Sequence, residues 1–387
     1  MFLGRGDNGP VVMPVADHAR HLFDGFTVVA WAYAFDPHRV LWAARSDGKL
    51  LSFTWVRGLN VMAWAIHTLG GGETVEDLIT IPEGTEDAVY MAVHHNGGDR
   101  RVMRLAYATL PLAEAEDGEL VPDVRYAVHL DQCTTYNGLQ TTRTLVIVTP
   151  ADIAVGDTVL VEVSSGTLRS DEIDTDGDVV KFDDPDGGEP WRFRIITHFA
   201  GLQYTAQLLN RAMTEAQCPT SGEWWLCRHS VSDVAADTGE TVTALADGNE
   251  IPGLVVSTSG VKICEVEDYA NYAGIIHVGL PYNGDVESLD ARPKDARQRL
   301  LKKVVVEFEH TRGGHVGPDF DHLVEIRNRE VDHGYLTIPL RRNEEVEPVV
   351  DEWGVGGRVA LRQSSPFPMT ILGILRDSVS GGDGSGG

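Results

Sequence analysis

The chain is 387 residues long and 42% hydrophobic, which is enough for two or three domains with their own cores. It carries 58 acidic and 32 basic residues, a formal net charge of −26. This balance argues against a protein that binds nucleic acid by neutralising phosphates, because such a protein needs a basic surface. The same excess of acids is expected of a protein that only needs solubility or works in a salty habitat.

The N-terminal residues and the cysteines bear on the compartment. The start, Phe2-Leu3-Gly4-Arg5-Gly6-Asp7, is too short and too polar for a signal peptide, and no run is long enough to cross a membrane. The cysteines have no C-x-x-C spacing and are too few for a disulfide scaffold. We expect a soluble protein that is not secreted by this route and that keeps its cysteines as free thiols, namely Cys133, Cys218, Cys227 and Cys264.

His18 and His21 lie in a segment typical of a short helical turn, just before a strand predicted over 27–33. Their spacing of three is one that places two metal ligands on the same helix face. No third ligand lies near them in the sequence. Surface histidines are therefore the favoured interpretation, and we expect no metal site there.

Segment 38–67 contains three apolar runs separated by two turns. The runs are 40–44, 50–55 and 61–64, and the first turn is Ser46-Asp47-Gly48. Asp-Gly between β-rich runs indicates a hairpin, because glycine accepts the positive φ of a tight turn. Short, Trp-rich strands joined in this way predict one blade of a β-propeller or a related antiparallel meander.

Further along the chain, other runs also predict strands. Runs 74–81 and 88–93 flank a turn and predict another hairpin. Residues 141 to about 228 have the composition of an inserted β domain, with β-branched runs typical of strands. Within it, Leu202, Ala206, Leu209 and Met213 recur at helical spacing, which predicts one short helix over 200–213.

One acidic stretch of the insert has the register of an EF-hand calcium loop. Oxygen-bearing side chains stand at Glu172, Asp174, Asp176 and Asp183, with Gly177 at the sixth position. The flanking runs predict strands rather than helices, and Glu replaces Asp at the first position. A solvated acidic hairpin tip is therefore favoured, and calcium stays as an alternative.

Several of these segments resemble the tail nozzle (tail tube, or tail stabilisation) proteins of short-tailed bacteriophages. That family carries the pattern W-x-x-x-S/N-D-G-x-L-x-x-x-T-Y/W followed by V-x-A-W-x-x-H. The chain matches this pattern at Trp42, Ser46, Asp47, Gly48, Leu50, Thr54, Trp55, Val61, Ala63, Trp64 and His67. A second family pattern around I-P-x-G-x-x-D is matched at Val75, Ile81, Pro82, Gly84, Asp87, Val89 and Val93.

The most specific match is the phrase L-D-x-x-x-T-Y-D/N-G at 130–138. The phrases V-G-L-P-Y at 278–282 and P-x-T-I-L at 368–372 follow in the family's order. Segment 231–248 departs from the family, because the Gly-Leu-x-His-Leu half of its pattern is lost. The resemblance covers most of 38–138 and 230–376.

Together these patterns and the resemblance predict a mainly β fold, a propeller-like antiparallel meander with additional β-barrel or β-sandwich domains and one short helix in the insert. We expect propeller-like blades over 1–128 and the inserted β domain over 129–229. The C-terminal β domains would cover 230–377, and a disordered Gly/Ser tail 378–387.

The resemblance implies a structural protein of the virion tail, assembled in the host cytoplasm, and not an enzyme. Such proteins form a six-membered ring below the adaptor ring and extend the conduit through which the genome leaves. An acidic lumen would repel phosphate, so DNA would pass without binding. Expected partners are further copies of the chain, the adaptor ring and other tail proteins.

Members of this family are longer and carry more propeller sequence upstream of the first match. A separate chain that completes the propeller is therefore a further expected partner, with a reduced nozzle as the alternative. If such a chain exists, strand edges around 25–35 would need it for cover.

Two other function classes stay open. A receptor- or carbohydrate-binding tail component would present Trp side chains in a shallow groove. A propeller hydrolase would bring together carboxyl groups with raised pKa values. The sequence contains no G-x-S-x-G, no H-E-x-x-H and no phosphate-binding glycine loop, and we assign no catalytic, cofactor-binding or metal-binding residues.

Overall fold

The computed structural model describes residues 2–6, 9–13, 15–56, 61–95, 98–106, 109–114, 120–140, 144–163, 178–182, 189–200, 203–219, 224–290, 298–326, 340, 344–346, 352–355 and 357–380. The chain divides into two compact units, Met1–Pro111 and Leu112–Gly387. Strands account for 56% of the residues, and no helix in these described ranges has seven or more residues, so the predicted mainly β class is confirmed. Short 3-10 turns lie at Asp17–Leu22, Gly70–Gly72, Val124–Tyr126, Glu215–Gln217 and Tyr269–Asn271.

The first unit contains a β1–β2 hairpin, an antiparallel meander of order β3-β4-β5-β6 and an antiparallel sheet of order β7-β8-β9. Its strands are β1 (Phe2–Gly6), β2 (Gly9–Met13), β3 (Val28–Ala34), β4 (Val40–Arg45), β5 (Leu50–Val56), β6 (Val61–His67), β7 (Thr74–Glu83), β8 (Glu86–His94) and β9 (Arg100–Arg104).

The meander is the structure that the runs of segment 38–67 predict. Gly48 has a φ of +82° in the turn between β4 and β5, as the Asp-Gly signal requires. Arg45 braces this turn, because its guanidinium donates two hydrogen bonds of 2.7 Å to Asp47 and one of 2.6 Å to the carbonyl of Leu22. The two sheets bury one apolar core, formed mainly by Ala32, Ala44, Leu50, Val75, Leu78, Met91 and Val93.

The second unit is built from several antiparallel sheets. Its strands are β10 (Leu112–Glu114), β11 (Leu120–Pro122), β12 (Asp131–Asn137), β13 (Leu139–Gln140), β14 (Leu145–Ile147), β15 (Thr158–Val163), β16 (Val179–Phe182), β17 (Trp191–Ala200), β18 (Gln203–Leu208), β19 (Trp224–Cys227), β20 (Ser230–Val231), β21 (Thr241–Ala246), β22 (Asn249–Val255), β23 (Val261–Lys262), β24 (Ile275–Leu280), β25 (Gly284–Glu287), β26 (Gln298–Glu309), β27 (His315–Gly317), β28 (Val324–Glu325), β29 (Glu344–Val346), β30 (Glu352–Val355), β31 (Ala360–Gln363) and β32 (Thr370–Ser380).

The largest sheet of this unit has seven strands in the order β13-β19-β16-β17-β18-β15-β14, and all of them lie within 129–229, the range predicted for the inserted β domain. Three further sheets of this unit have the strand orders β12-β24-β21-β22, β25-β31-β27-β28 and β29-β26-β30. In the last of these sheets, β32 also pairs with β26. The ribbons β10–β11 and β20–β23 complete the described topology.

The helix predicted over 200–213 is wrong, because β18 occupies Gln203–Leu208 and pairs with both β17 and β15. Burial along β18 alternates with period two, so Tyr204, Ala206 and Leu208 enter the core of the seven-stranded sheet. Ala206 belongs to both the helical and the alternating pattern. Pairing on both sides of the strand and burial of one face outweigh the helical spacing of the neighbouring residues.

The long strands β26 and β32 form an antiparallel pair near the C-terminus. Their core contains Leu301, Val304, Val306 and Phe308. Since β32 extends to Ser380, residues 378–380 belong to a strand rather than to the expected disordered tail. Residues 381–387 lie outside the described residues.

Candidate functional site

The structure describes only a few of the side chains that the sequence suggested as metal ligands. Glu172, Asp174, Asp176, Gly177 and Asp183 lie outside the described residues, so the calcium alternative stays untested. His21 is exposed in the turn Asp17–Leu22, and the side chain of His18 is outside the described part. Within the described ranges, no three His, Cys, Asp or Glu side chains are grouped so that they could hold a metal ion.

The four cysteines are free thiols, with Cys218 and Cys227 buried and the other two half-buried. Burial raises the pKa of Cys133 and of Cys264 to about 11. These two thiols are therefore protonated near neutral pH and poor nucleophiles.

No helix in the described ranges has the length and apolar composition needed to cross a membrane.

No carboxyl group in the described part of the chain has a pKa shift resolved in the upward direction. For the described residues, each carboxyl with a resolved shift has a lowered pKa. Hydrogen bonds from Arg45 and Arg100 lower the pKa of Asp47 and Glu76, and a hydrogen bond from Tyr90 lowers the pKa of Glu83. A hydrolytic acid needs the opposite shift.

Strand β3 presents its large side chains to solvent and its small ones to the core. Ala32 and Ala34 are 8% and 5% exposed, whereas Trp31 is 68% exposed. The same outward face carries further exposed apolar side chains, and we call the set Val29, Trp31, Tyr33 and Phe35 the β3 stripe. This is the inverse of the usual arrangement, in which large apolar side chains fill the core.

The small size of the inward side chains of β3 is explained by the residues of β4 that pair with them. Ala32 pairs with Trp42 of β4, and Ala30 pairs with Ala44. Directly paired residues share a face of the sheet, so Trp42 occupies the space beside Ala32. The core side of β3 therefore suits small residues, and the register that buries them exposes the β3 stripe.

Part of the outward face of the meander is covered from within the same unit, whereas Met62 and Ile66 of β6 are 39% and 42% exposed. Phe23 contacts Trp64 edge-on, with 5.0 Å between ring centroids, and Trp64 Nε1 donates to the carbonyl of Val15 at 3.0 Å. Phe53 and Leu51 are buried beneath this cover. Strand β3 is at the edge of its sheet, and its outward side chains remain exposed.

The β3 stripe is held in an ordered position. The amide of Phe35 donates to Asp87 Oδ2 at 2.7 Å, and Thr80 Oγ1 donates to the carbonyl of Tyr33 at 3.1 Å. The rings of Tyr33 and Phe35 lie 6.5 Å apart. No charged residue occurs from Thr27 to Phe35, although the chain carries a net charge of −26. The side chains of the stripe are neutral and apolar, and the guanidinium of Arg39 lies 4.7 Å from the centroid of the Phe35 ring. A contiguous set of exposed apolar side chains differs from apolar residues scattered singly over a surface.

A second surface lies in the other unit, beside strand β25. There, a cleft of about 240 Å³ adjoins the outer strand of the β25-β31-β27-β28 sheet. Val286, whose side chain is exposed, belongs to its lining. We call it the β25 cleft; the side chains that matter in its lining are His129, Tyr282, Val286, Phe367, Met369 and Ile371.

Two polar side chains in the lining of the β25 cleft, Asp285 and Gln363, already have partners within the protein. Asp285 receives two hydrogen bonds of 2.7 Å from Arg362. Gln363 donates to the carbonyl of Arg312 at 2.7 Å and accepts from the amide of Ser365 at 3.2 Å. What the cleft offers to a ligand is therefore mainly apolar.

The two titratable rings in the β25 cleft are neutral near pH 7. Burial lowers the pKa of His129, and burial together with Asp131 raises the pKa of Tyr282 to about 12. Sequence reasoning missed this cleft. A signal was nevertheless present, because three phrases of the stated resemblance meet there: residue 129 precedes the first, Tyr282 ends the second, and Met369 and Ile371 belong to the third.

Neither a model of a known protein family nor a curated protein sequence matches this chain.

Proposed function

We propose that the chain is a structural subunit of the tail of a short-tailed bacteriophage, without catalytic activity. Six copies form a ring-shaped nozzle below the adaptor, assembled in the host cytoplasm and carried in the virion. The ring extends the conduit through which the genome is ejected.

The β3 stripe is the observation that supports this proposal most directly. Exposed, ordered aromatic side chains are typical of protein–protein contacts, where Trp and Tyr supply much of the binding energy. An edge strand with an uncovered apolar face is also an aggregation hazard in a free monomer. Coverage of Trp31 and its neighbours by another subunit removes that hazard, as expected of a protein that works in an assembly.

The matched sequence phrases have structural roles in this fold, which also favours a structural protein. Tyr136 donates its hydroxyl proton to the carbonyl of Leu226 at 2.8 Å. A Cβ at Gly138 would overlap that same carbonyl, so only glycine fits there. The most specific phrase of the resemblance therefore joins β12 to the inserted domain rather than forming a reactive centre.

The acidic composition suits a conduit for DNA. A lumen that carries carboxylates repels phosphate, whereas a basic lumen binds DNA through release of counterions. With 58 acids against 32 basic residues, the surface of the ring as a whole is expected to be acidic. The DNA would then pass without specific contacts.

Imaging of intact phage tails that contain this protein tests the proposal. We expect six copies around an axial channel directly below the adaptor. Peripheral trimers or single copies would contradict the nozzle function and favour the receptor- or carbohydrate-binding alternative, in which the β3 stripe stacks on a ligand instead of a subunit. Particles that carry Trp31→Glu should lack the ring, and particles that carry Val102→Glu, at another exposed position, should retain it.

A further inference from the structure

We propose that the β3 stripe of one copy docks on the β25 cleft of the next copy, with the Trp31 side chain inserted into the cleft. The inference rests on the proposed function and names the two contact surfaces of the ring. A closed ring needs two different, complementary surfaces on each subunit, since each copy contacts one neighbour through each surface.

The size of the cleft suits a large side chain of a protein partner. Sites for small molecules are usually about 300–1,000 Å³, and the β25 cleft is about 240 Å³. A space of this size suits one large side chain. Trp31 is the most exposed aromatic side chain of the β3 stripe, and a single buried aromatic anchor is typical of a tight protein contact.

The chemistry of the cleft also favours a protein side chain as its occupant. Its carboxylate and amide groups are bonded internally, so a sugar or another polar ligand would find few free partners there. Phe367, Met369 and Ile371 offer apolar contacts, and methionine sulfur packs well on aromatic rings. The neutral imidazole of His129 is able to accept a hydrogen bond from an indole N–H.

Charge favours a contact between copies through these two surfaces. Two molecules of net charge −26 repel each other, so contact costs least where acids are absent or neutralised. The side chains of the β3 stripe carry no charge, and the charged group over the Phe35 ring is the basic Arg39, not an acid. Beside the cleft, Asp285 is paired with Arg362, and Glu287 with Arg358 at 3.4 Å.

Two substitutions test the contact in the purified full-length protein. Trp31→Glu and Val286→Asp each place an acid in one of the two surfaces, at positions exposed enough to leave the fold intact. Each should weaken self-association by about 100-fold or more in sedimentation measurements. Val102→Glu and Val255→Asp are the matched controls, because both residues are exposed valines on other edge strands, β9 and β22. The controls should associate like the wild type.

Mixing the two variants distinguishes this contact from others. Trp31→Glu retains an intact cleft, and Val286→Asp retains an intact stripe. Each variant alone should remain monomeric, and an equimolar mixture should form a 1:1 dimer and nothing larger. Thermal denaturation of each variant, compared with the wild type, verifies that the fold is retained.

Three outcomes would overturn the inference. A mixture that stays monomeric would mean that both substitutions damage one shared, self-complementary surface. Association by Val286→Asp at the wild-type strength would mean that Trp31 docks elsewhere, on another part of the chain or on a different tail protein. A wild-type protein that stays monomeric at the highest concentration reached would mean that the two surfaces have no useful affinity. None of these results would contradict a six-fold ring observed by imaging of tails. The proposed function is therefore tested separately from this contact.

Discussion

His277 accepts a hydrogen bond from Thr135 across the β12–β24 pair. The Thr135 Oγ1 to His277 Nδ1 distance is 2.7 Å, and His277 Nε2 lies 2.9 Å from the carbonyl oxygen of Arg125. A carbonyl only accepts, so Nε2 carries the ring proton and Nδ1 is the acceptor. The imidazole is 2% exposed and fully partnered in its neutral form.

This arrangement predicts that acid destabilises the fold. Burial lowers the pKa of His277, against a smaller opposite effect of the Arg125 carbonyl. The unfolded chain therefore takes up the proton first as the pH falls below about 6.5, and the free energy of unfolding decreases from there downward. His277→Gln should flatten the profile measured by urea denaturation between about pH 7 and about pH 5. Thr135→Ser keeps the hydroxyl and should therefore keep the pH dependence of the wild type. An unchanged slope in His277→Gln would mean that His277 is not the cause of the pH dependence.

Two hairpin glycines provide a matched test of backbone strain and close contact. Gly48 and Gly84 both have positive φ, +82° and +60°. A Cβ at Gly48 would overlap Thr74, whereas a Cβ at Gly84 meets nothing within 4 Å. Gly84→Ala should cost roughly 1–2 kcal/mol of unfolding free energy from φ alone, and Gly48→Ala clearly more. Equal losses in thermal denaturation would show that the overlap with Thr74 is relieved without cost.

The turns and alternating runs were predictable from the sequence because their signals are local. Ser46-Asp47-Gly48 defines its hairpin through the φ that only glycine adopts easily. Strand β18 was not predictable, since the extended conformation of this segment depends on pairing with β15 and β17. The β25 cleft could not be located from the sequence either, although three matched phrases border it. It joins His129, Tyr282 and Phe367, which are far apart in sequence and meet only through the sheet topology.

The β3 stripe is an intermediate case. Alternation of alanine with Val, Trp, Tyr and Phe over 29–35 shows that two different faces exist. It does not show which face is buried, and the binary pattern alone would have placed Trp31 in the core. The deciding fact is the pairing of Ala32 with Trp42.

A buried pair in the first unit should contribute strongly to its stability. His95 Nδ1 lies 2.8 Å from Glu73 Oε1, with side-chain exposures of 3% and 0%. Glu73→Ala leaves the imidazole without this buried partner, and we expect a loss of roughly 3 kcal/mol or more in urea denaturation. The control is Glu76→Ala, which removes the exposed pair with Arg100 at 2.6 Å and should have no measurable effect. Similar losses in the two variants would contradict this assignment.

Salt should strengthen the association of copies rather than weaken it. The β3 stripe is uncharged and the molecules repel through a net charge of −26, so screening removes the repulsion and leaves the apolar contact intact. The dissociation constant measured by sedimentation should therefore fall as NaCl is raised from about 0.05 M to about 0.5 M. Trp31→Glu should show no comparable gain, because it lacks the anchor whatever the screening. An association that weakens with salt would mean that ion pairs stabilise the contact between copies. Insertion of Trp31 into the cleft would then not explain the association.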